Sequence, residues 1–252
     1  DPAPTNTPEP LSSTYFVAPT GSDSNSGAEA NPWQTIQKAA DSLQPGDTVT
    51  VRAGNYPERI LINRSGAVNA PITFQVQGSV ITQGFTILAD HITVRGFEIT
   101  NTPNDSTHGV GIFAQGNHCI LEDNYIHYAT QGGILVYAEP SNYSRTNNCI
   151  VRNNRLYRNS QMGIEVSGLD HLVEDNEIWG TIQHHPTWTN APEWVDADGI
   201  KFFGSGHTCR GNYIHDILYS DRLNINPHID CFQTFSGGDK QSASNILIER
   251  NR

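Results

Sequence analysis

Residues 118–129 read HCILEDNYIHYA, and residues 148–159 read NCIVRNNRLYRN. Superposed, each has an Asn followed two places later by an apolar residue: Asn124 and Ile126 in one, Asn154 and Leu156 in the other. The pattern returns in HLVEDNEIWG (171–180) and HTCRGNYIHD (207–216), and its Asn again in NILIERNR (245–252). HITVRGFEITN (91–101) is an imperfect earlier copy with Phe97 in the Asn place. A second motif interleaves with the first: GVGIFAQG (109–116), GGILVYAE (132–139), MGIEVSGL (162–169), DGIKFFGSG (198–206) and DCFQTFSGG (230–238). Each unit therefore holds at least two short alternating strands, with turns of variable length between them.

Short strands repeating at this interval form a solenoid, because one coil alone cannot bury its inner face. The expected fold is all-β, a right-handed parallel β-helix. Its core is built from ladders of like residues. Ile112, Ile134, Ile164, Ile200 and Phe232 make one ladder, and Ile99, Ile126, Leu156, Ile178 and Ile214 make another. Asn124, Asn154, Asn176, Asn212 and Asn251 form a column with a structural role. Asn tolerates the left-handed turn conformation, and its amide can bond to neighbouring backbone and to other stacked amides.

The chain has 252 residues, 16% charged and 36% hydrophobic, with a net charge of −11. It carries no basic stripe, which argues against a nucleic-acid partner. An acidic field also repels a polyanion unless cations offset it locally, and it suits Ca²⁺. No apolar run is long enough to span a bilayer. Residues 1–13, opening DPAPTNTPEP, read as a Pro/Thr-rich tail or linker. Residues 14–252 read as a single domain and a monomer, with an N-terminal cap over 14–60. The tail predicts a secreted or cell-surface-tethered protein. The abrupt stop after NILIERNR predicts that the C-terminal end is truncated.

In WQTIQKAADSL, Ile36, Ala39, Ala40 and Leu43 fall at helical spacing. Pro32 marks the start of this short helix and Pro45-Gly46 its end. Such a helix caps the open sheet edge of the first coil. YFVAPTGSDSNSG (15–27), NPWQTIQKAAD (31–41), PGDTVTVRAGNY (45–56) and the Asn-x-Ile ladder together resemble the pectate-lyase-like superfamily of secreted bacterial β-helix proteins. The resemblance implies fold more than activity, because one fold hosts many chemistries.

Aligned on the inner Ile/Phe, the next position reads Phe113, Leu135, Glu165, Lys201 and Gln233. Two earlier columns end in Asp198 and Asp230, and in Asp196 and His228. Parallel strands lie about 4.8 Å apart, so these late charges gather on one face. Two readings fit them: a solvated outer face, or a reaction centre. The longest insertions, 179–195 and 216–229, immediately precede these charged strands and are expected to wall a groove. Gln233, Trp188, Trp194 and Arg222 are the expected substrate-binding residues, with Trp179 a third aromatic in the first insertion.

The superfamily resemblance implies β-elimination from an acidic, uronate-containing polysaccharide, assisted by Ca²⁺. Asp-Gly-Ile-Lys (198–201) is similar to a segment that supplies a Lys base. On that reading Lys201 is the base, with His228, Asp198 and Asp230 the other catalytic candidates. Glu165, Asp196, Asp198 and Asp230 are the Ca²⁺ ligands. A salt bridge to the neighbouring Asp pair would disable Lys201, leaving His228 as base or acid. NPHID (226–230) is similar to a segment of uronan C5-epimerases, although Asn226 replaces its acidic residue. Paired-carboxylate hydrolysis stays open, as does a non-catalytic glycan-binding or structural module. Cys119 and Cys149 share a column, as a disulfide or as stacked free thiols. Cys209 and Cys231 are expected free and buried.

Overall fold

The computed structural model describes residues 12–104, 109–187, 195–218, 228–236 and 240–252. Its strands stack in parallel into three ladders, the three faces of a β-helix. The first ladder runs from Thr14–Val17 through Ile92–Arg95, Ile120–Glu122, Ile150–Arg152, Leu172–Glu174 and Thr208–Arg210 to Leu247–Glu249. The second takes Glu98–Ile99, Tyr125–His127, Arg155–Tyr157, Glu177–Trp179 and Tyr213–His215. These two join because the long strand Ile72–Thr82 pairs with Ile92–Arg95 at one end and Glu98–Ile99 at the other. The third ladder is a separate sheet: Ile60–Ile62, Phe85–Ile87, Val110–Ala114, Gly132–Val136, Met162–Leu169, Asp198–Ser205 and Phe232–Gln233.

Both core ladders expected from sequence are present. Ile112, Ile134, Ile164, Ile200 and Phe232 are register partners from coil to coil, and Phe85 extends the row. Ile99, Ile126, Leu156, Ile178 and Ile214 form the other. All of these except the partly buried Phe232 are buried, which fills the interior with stacked apolar side chains.

The Asn column closes the turn between the first two faces. Asn154 Oδ1 accepts both the backbone N–H and the side-chain amide of Asn124, each at 3.1 Å. Asn176 does the same for Asn154 at 2.9 and 3.0 Å. Asn212 serves Asn176 and Asn251 serves Asn212 in the same way. Phe97, in the same place one coil earlier, donates only its backbone N–H to Asn124. The left-handed conformation belongs to the residue before each ladder Asn, not to the Asn. Gly96, Asp123, Asn153, Asp175, Gly211 and Arg250 have φ of 84, 57, 55, 54, 66 and 54°. The Asn is chosen for its amide, and the sharp turn is made one residue earlier.

The helix, Ile36–Ser42, is shorter than its apolar spacing indicated and starts after Thr35, not at Pro32. Asp23 accepts the Gln34 and Thr35 N–H groups, and Glu58 accepts those of Ile36 and Gln37. Thr35 Oγ1 then caps Lys38 N–H at 3.1 Å. The donors at the helix start are thus met by two acids and a hydroxyl. Ile36, Ala39, Ala40 and Leu43 are buried against the first coil.

Cys119, Cys149, Cys209 and Cys231 are free thiols, and Cys231 is exposed, contrary to the burial expected for it. It lies between Asp230 and Phe232 on the coil that follows Asp198–Ser205. Cys119 and Cys149 donate to the carbonyls of Ala89 and Gly116. Their column continues as His171 and His207, with rings stacked 5.0 Å apart. His171 Nδ1 accepts the Cys149 N–H, and His207 Nδ1 accepts that of His171. Each Nε2 faces a carbonyl, of Ser167 or Phe203, so both rings serve as neutral imidazoles. Burial pushes the His207 imidazole down to about 4.

Replacing Asn176 by Ala leaves the buried N–H and amide of Asn154 without their acceptor. The expected loss is about 3 kcal/mol, against about 1 for Asn251→Ala, where water can substitute. Denaturant-unfolding midpoints of the two variants check this.

Candidate functional site

On the outer side of the third ladder one column is continuous: Leu61, Thr86, Phe113, Leu135, Glu165, Lys201, Gln233. Its early members are apolar or neutral and its last three are polar, as the alignment indicated. Glu165, Lys201 and Gln233 are each less than a tenth exposed, so they form a floor and not a solvated face.

Asp196 and Asp198 stand beside this floor and hold the next coil in place. Asp196 Oδ1 accepts the His228 N–H at 3.1 Å, and Asp198 Oδ1 accepts the Asp230 N–H at 3.0 Å. The Ala197 and Gly199 N–H groups donate back to the carbonyls of His228 and Asp230. The two acidic segments therefore continue the parallel pairing beyond the regular strands. Their other carboxylate oxygens turn to Lys201, whose Nζ lies 3.0 Å from Asp198 Oδ2 and 3.7 Å from Asp196 Oδ2. The approach to Asp198 Oδ2 is off hydrogen-bonding geometry, so this contact is Coulombic. Gln233 Nε2 donates to Asp196 Oδ2 at 3.2 Å, while its Oε1 is buried without a hydrogen-bond donor.

Asp198 is fully buried. Burial pushes its carboxyl up to about 6 despite the opposing pull of Lys201 and the Asp230 N–H. Asp196, His228, Asp230 and Gln233, with Thr234 and Phe235, line a cleft of about 370 Å³. His228 and Asp230 are exposed on its rim. Structure thus brings Asp196, Asp198, Lys201, His228, Asp230 and Gln233 together as the sequence indicated.

Glu165 behaves differently. It shares the column with Lys201, yet its carboxylate pairs with Lys240, which also lies over the Phe203 ring at 4.6 Å. Sequence reasoning missed Lys240, because it reaches back across two coils from a segment with no place in either repeat. Trp188, Trp194, Arg222 and Asn226 lie outside the described residues. Trp179 is no groove platform. It ends the strand Glu177–Trp179 on the second face, stacked with Tyr157 at 4.9 Å and under the Arg155 guanidinium.

The expected Ca²⁺ ligands do not fit a Ca²⁺ site as placed. A hard cation needs several oxygens free to converge. Here Asp196 and Asp198 hold backbone N–H groups and the Lys201 ammonium, and Glu165 holds Lys240. Among the described residues, no three carboxylate, imidazole or thiol groups are placed to share a metal ion. Lys201 meets a matching obstacle as a base, since a neutral amine would leave both aspartates without the cation set beside them.

Residues 15–170 match a family model described as Pel9A-like, right-handed β-helix region. The chain belongs to this Pel9A-like right-handed β-helix family. It is 25% identical to pectate lyase L of Dickeya chrysanthemi over 205 residues, 72% of this chain and 46% of that protein. It is 32% identical to pectate lyase PEL9 of Emericella nidulans over 100 residues, 39% of this chain and 22% of that protein. The chain spans less than half the length of either relative. Among solved structures, the GH136 lacto-N-biosidase from Eubacterium ramulus superposes with a TM-score of 0.64 and 17% identity, over 87% of this chain and 54% of that one. That likeness is one of fold. Of the site, only Glu165 falls inside the family-matched stretch, so the charged cluster is read from its own geometry. Among the described residues no helix is long and apolar enough to cross a membrane.

The buried ion pair makes a pH-dependent prediction. Asp198 holds its proton to higher pH folded than unfolded, so its contribution to stability falls as pH rises from about 4 to about 6 and is flat above. Removing Lys201 strips the cation from Asp198, whose carboxyl is ionised only at the upper end of that range. Lys201→Ala is expected to cost about 3 kcal/mol near pH 8 and less than half of that near pH 4. Comparing wild type and variant at each pH cancels the opposite-signed background from His207. A penalty independent of pH would contradict the assignment.

Proposed function

We propose that this protein acts on a uronate-containing polysaccharide by β-elimination at the cleft lined by Asp196, His228, Asp230 and Gln233. The observation that carries the reading is a cleft rimmed by the exposed His228 and Asp230 and bordered by Asp196, which also holds the buried Lys201 ammonium. Lys201 cannot drift, because two aspartates grip it. His228 is exposed on the rim, with its backbone pinned by Asp196. The curated relatives named as pectate lyases support the substrate class.

In this reading His228 takes the proton on the carbon next to the uronate carboxylate. The C–H electron pair forms the new carbon–carbon double bond, and the neighbouring C–O bond breaks. The departing oxygen takes a proton from solvent. Lys201 faces the negative charge that grows on the carboxylate during proton removal, as a charge stabiliser and not as the base. Gln233 lines the cleft and steadies Asp196 through its Nε2. No step runs through Ca²⁺. The secreted or surface-tethered setting expected from the Pro/Thr-rich opening, and the bacterial one implied by the resemblance, belong to this same reading, and residues 1–11 lie outside the described part of the chain.

Incubation with polygalacturonate, alginate and glycosaminoglycans, followed by the ultraviolet absorbance of unsaturated uronides, tests it. His228→Ala is expected to lower the rate about 10²- to 10⁴-fold, Lys201→Ala to lower it as well, and Lys38→Ala on the cap helix to leave it unchanged. Equal rates with Ca²⁺ and with a chelator are expected. A flat trace on every substrate sinks the proposal. New reducing ends without unsaturation would point to hydrolysis by Asp196 and Asp230, the carboxylates bordering the cleft.

A further inference from the structure

The outer column of the third ladder would let a sugar chain run along the axis across many coils. Among the described residues, one side chain lies across it. The Lys240 side chain reaches over the Phe203 ring and pairs with Glu165, on the coil before Lys201. Beyond this bar lies a separate polar hollow of about 250 Å³, lined by Gln115, Tyr137, Glu139, Arg145 and Thr146. The backbone that carries Lys240 is held from two sides. Gln241 N–H donates to Tyr143 Oη at 2.8 Å, and Ser244 N–H donates to the Gly204 carbonyl, also at 2.8 Å.

Three features make the bar more than a passing surface ion pair. Glu165 is buried, so its charge needs a partner. Lys240 gains a second attraction from the aromatic face beneath it. Its backbone is anchored to an earlier coil, so the side chain starts from a fixed point. Lys240 also spares Lys201, which keeps both its aspartates while its column neighbour Glu165 is neutralised from elsewhere.

We propose that the Glu165–Lys240 pair is a chain-end stop. It ends the binding track on the side of the earlier coils, so the cleft receives the terminus of a uronate chain and not its middle. The inference rests on the cleft being the sugar-binding site, as proposed above. Lys240 is then a specificity-determining residue, and it takes no part in proton transfer.

The test counts bound protein per polymer chain. Size-fractionated oligogalacturonides, from dimers to long polymers, are titrated into the His228→Ala protein. A chain-end stop holds one protein per chain at every length. Lys240→Ala removes the bar and is expected to bind several proteins on long chains, while Lys240→Arg restores one. Multiple occupancy of long chains by the starting protein, or no binding at any length, overturns the proposal. Product sizes separate it from the reading it rests on. Wild-type protein releasing a single small unsaturated product from the outset supports both. Unsaturated products spread at once over all sizes would retain elimination and overturn the stop. One protein per chain with no unsaturated product would do the reverse.

Discussion

From the Phe97 coil onward, each coil leaves a buried turn with more donors than local acceptors, and the side-chain oxygen of the next coil's asparagine answers them. One Oδ1 takes two hydrogens from the coil before, and the same residue passes two hydrogens forward. The bond is intercoil by construction, since no asparagine can complete its own set. This locks the rise and phase of successive coils. The apolar ladders then meet in register, and the outer columns share that register, with pairs such as Glu122–Arg152 and Glu174–Arg210 stacked along them. Insertions between coils leave the lock untouched, which is how repeats of unequal length share one core.

The charged cluster exploits this rigidity. Asp196 and Asp198 act on two levels with separate oxygens: one carries the next coil's backbone, and the other restrains Lys201. Scaffold and site are therefore one construction. A carboxylate that binds an N–H and an ammonium together is costly to recruit for a metal. Burial adds to this by leaving Asp198 close to its protonated form. The groups of the cleft that remain exposed are those on its rim, His228 and Asp230.

Much of this was legible in the sequence. The Asn positions and inner Ile residues fix which residues stack, because a solenoid repeats its environment coil by coil. The convergence of Glu165, Lys201 and Gln233 followed from the same alignment. What escaped it lay off the repeat. Lys240 belongs to neither motif and finds Glu165 through a long reach in space. Alignment can state that Asp198 and Lys201 are neighbours, but not which oxygens are already committed to backbone N–H groups. Trp179 was grouped with the insertion by chain position, although stacking with Tyr157 draws it into the second face. The left-handed turn was assigned one residue too late, since Asp, Gly and Arg can all make it and only the amide needs Asn.

The outer column also acts as a ruler. Its divisions are set by strand spacing, about 4.8 Å per coil, and side-chain choice cannot stretch them. A polymer laid along it repeats at a distance of its own. Unless the two periods agree, contacts in phase at one coil drift out of phase within a few more. Such a surface gains little by repeating its polar groups along its length. It gains most by concentrating them at a single graduation, and the arrangement around Lys201 is of that kind.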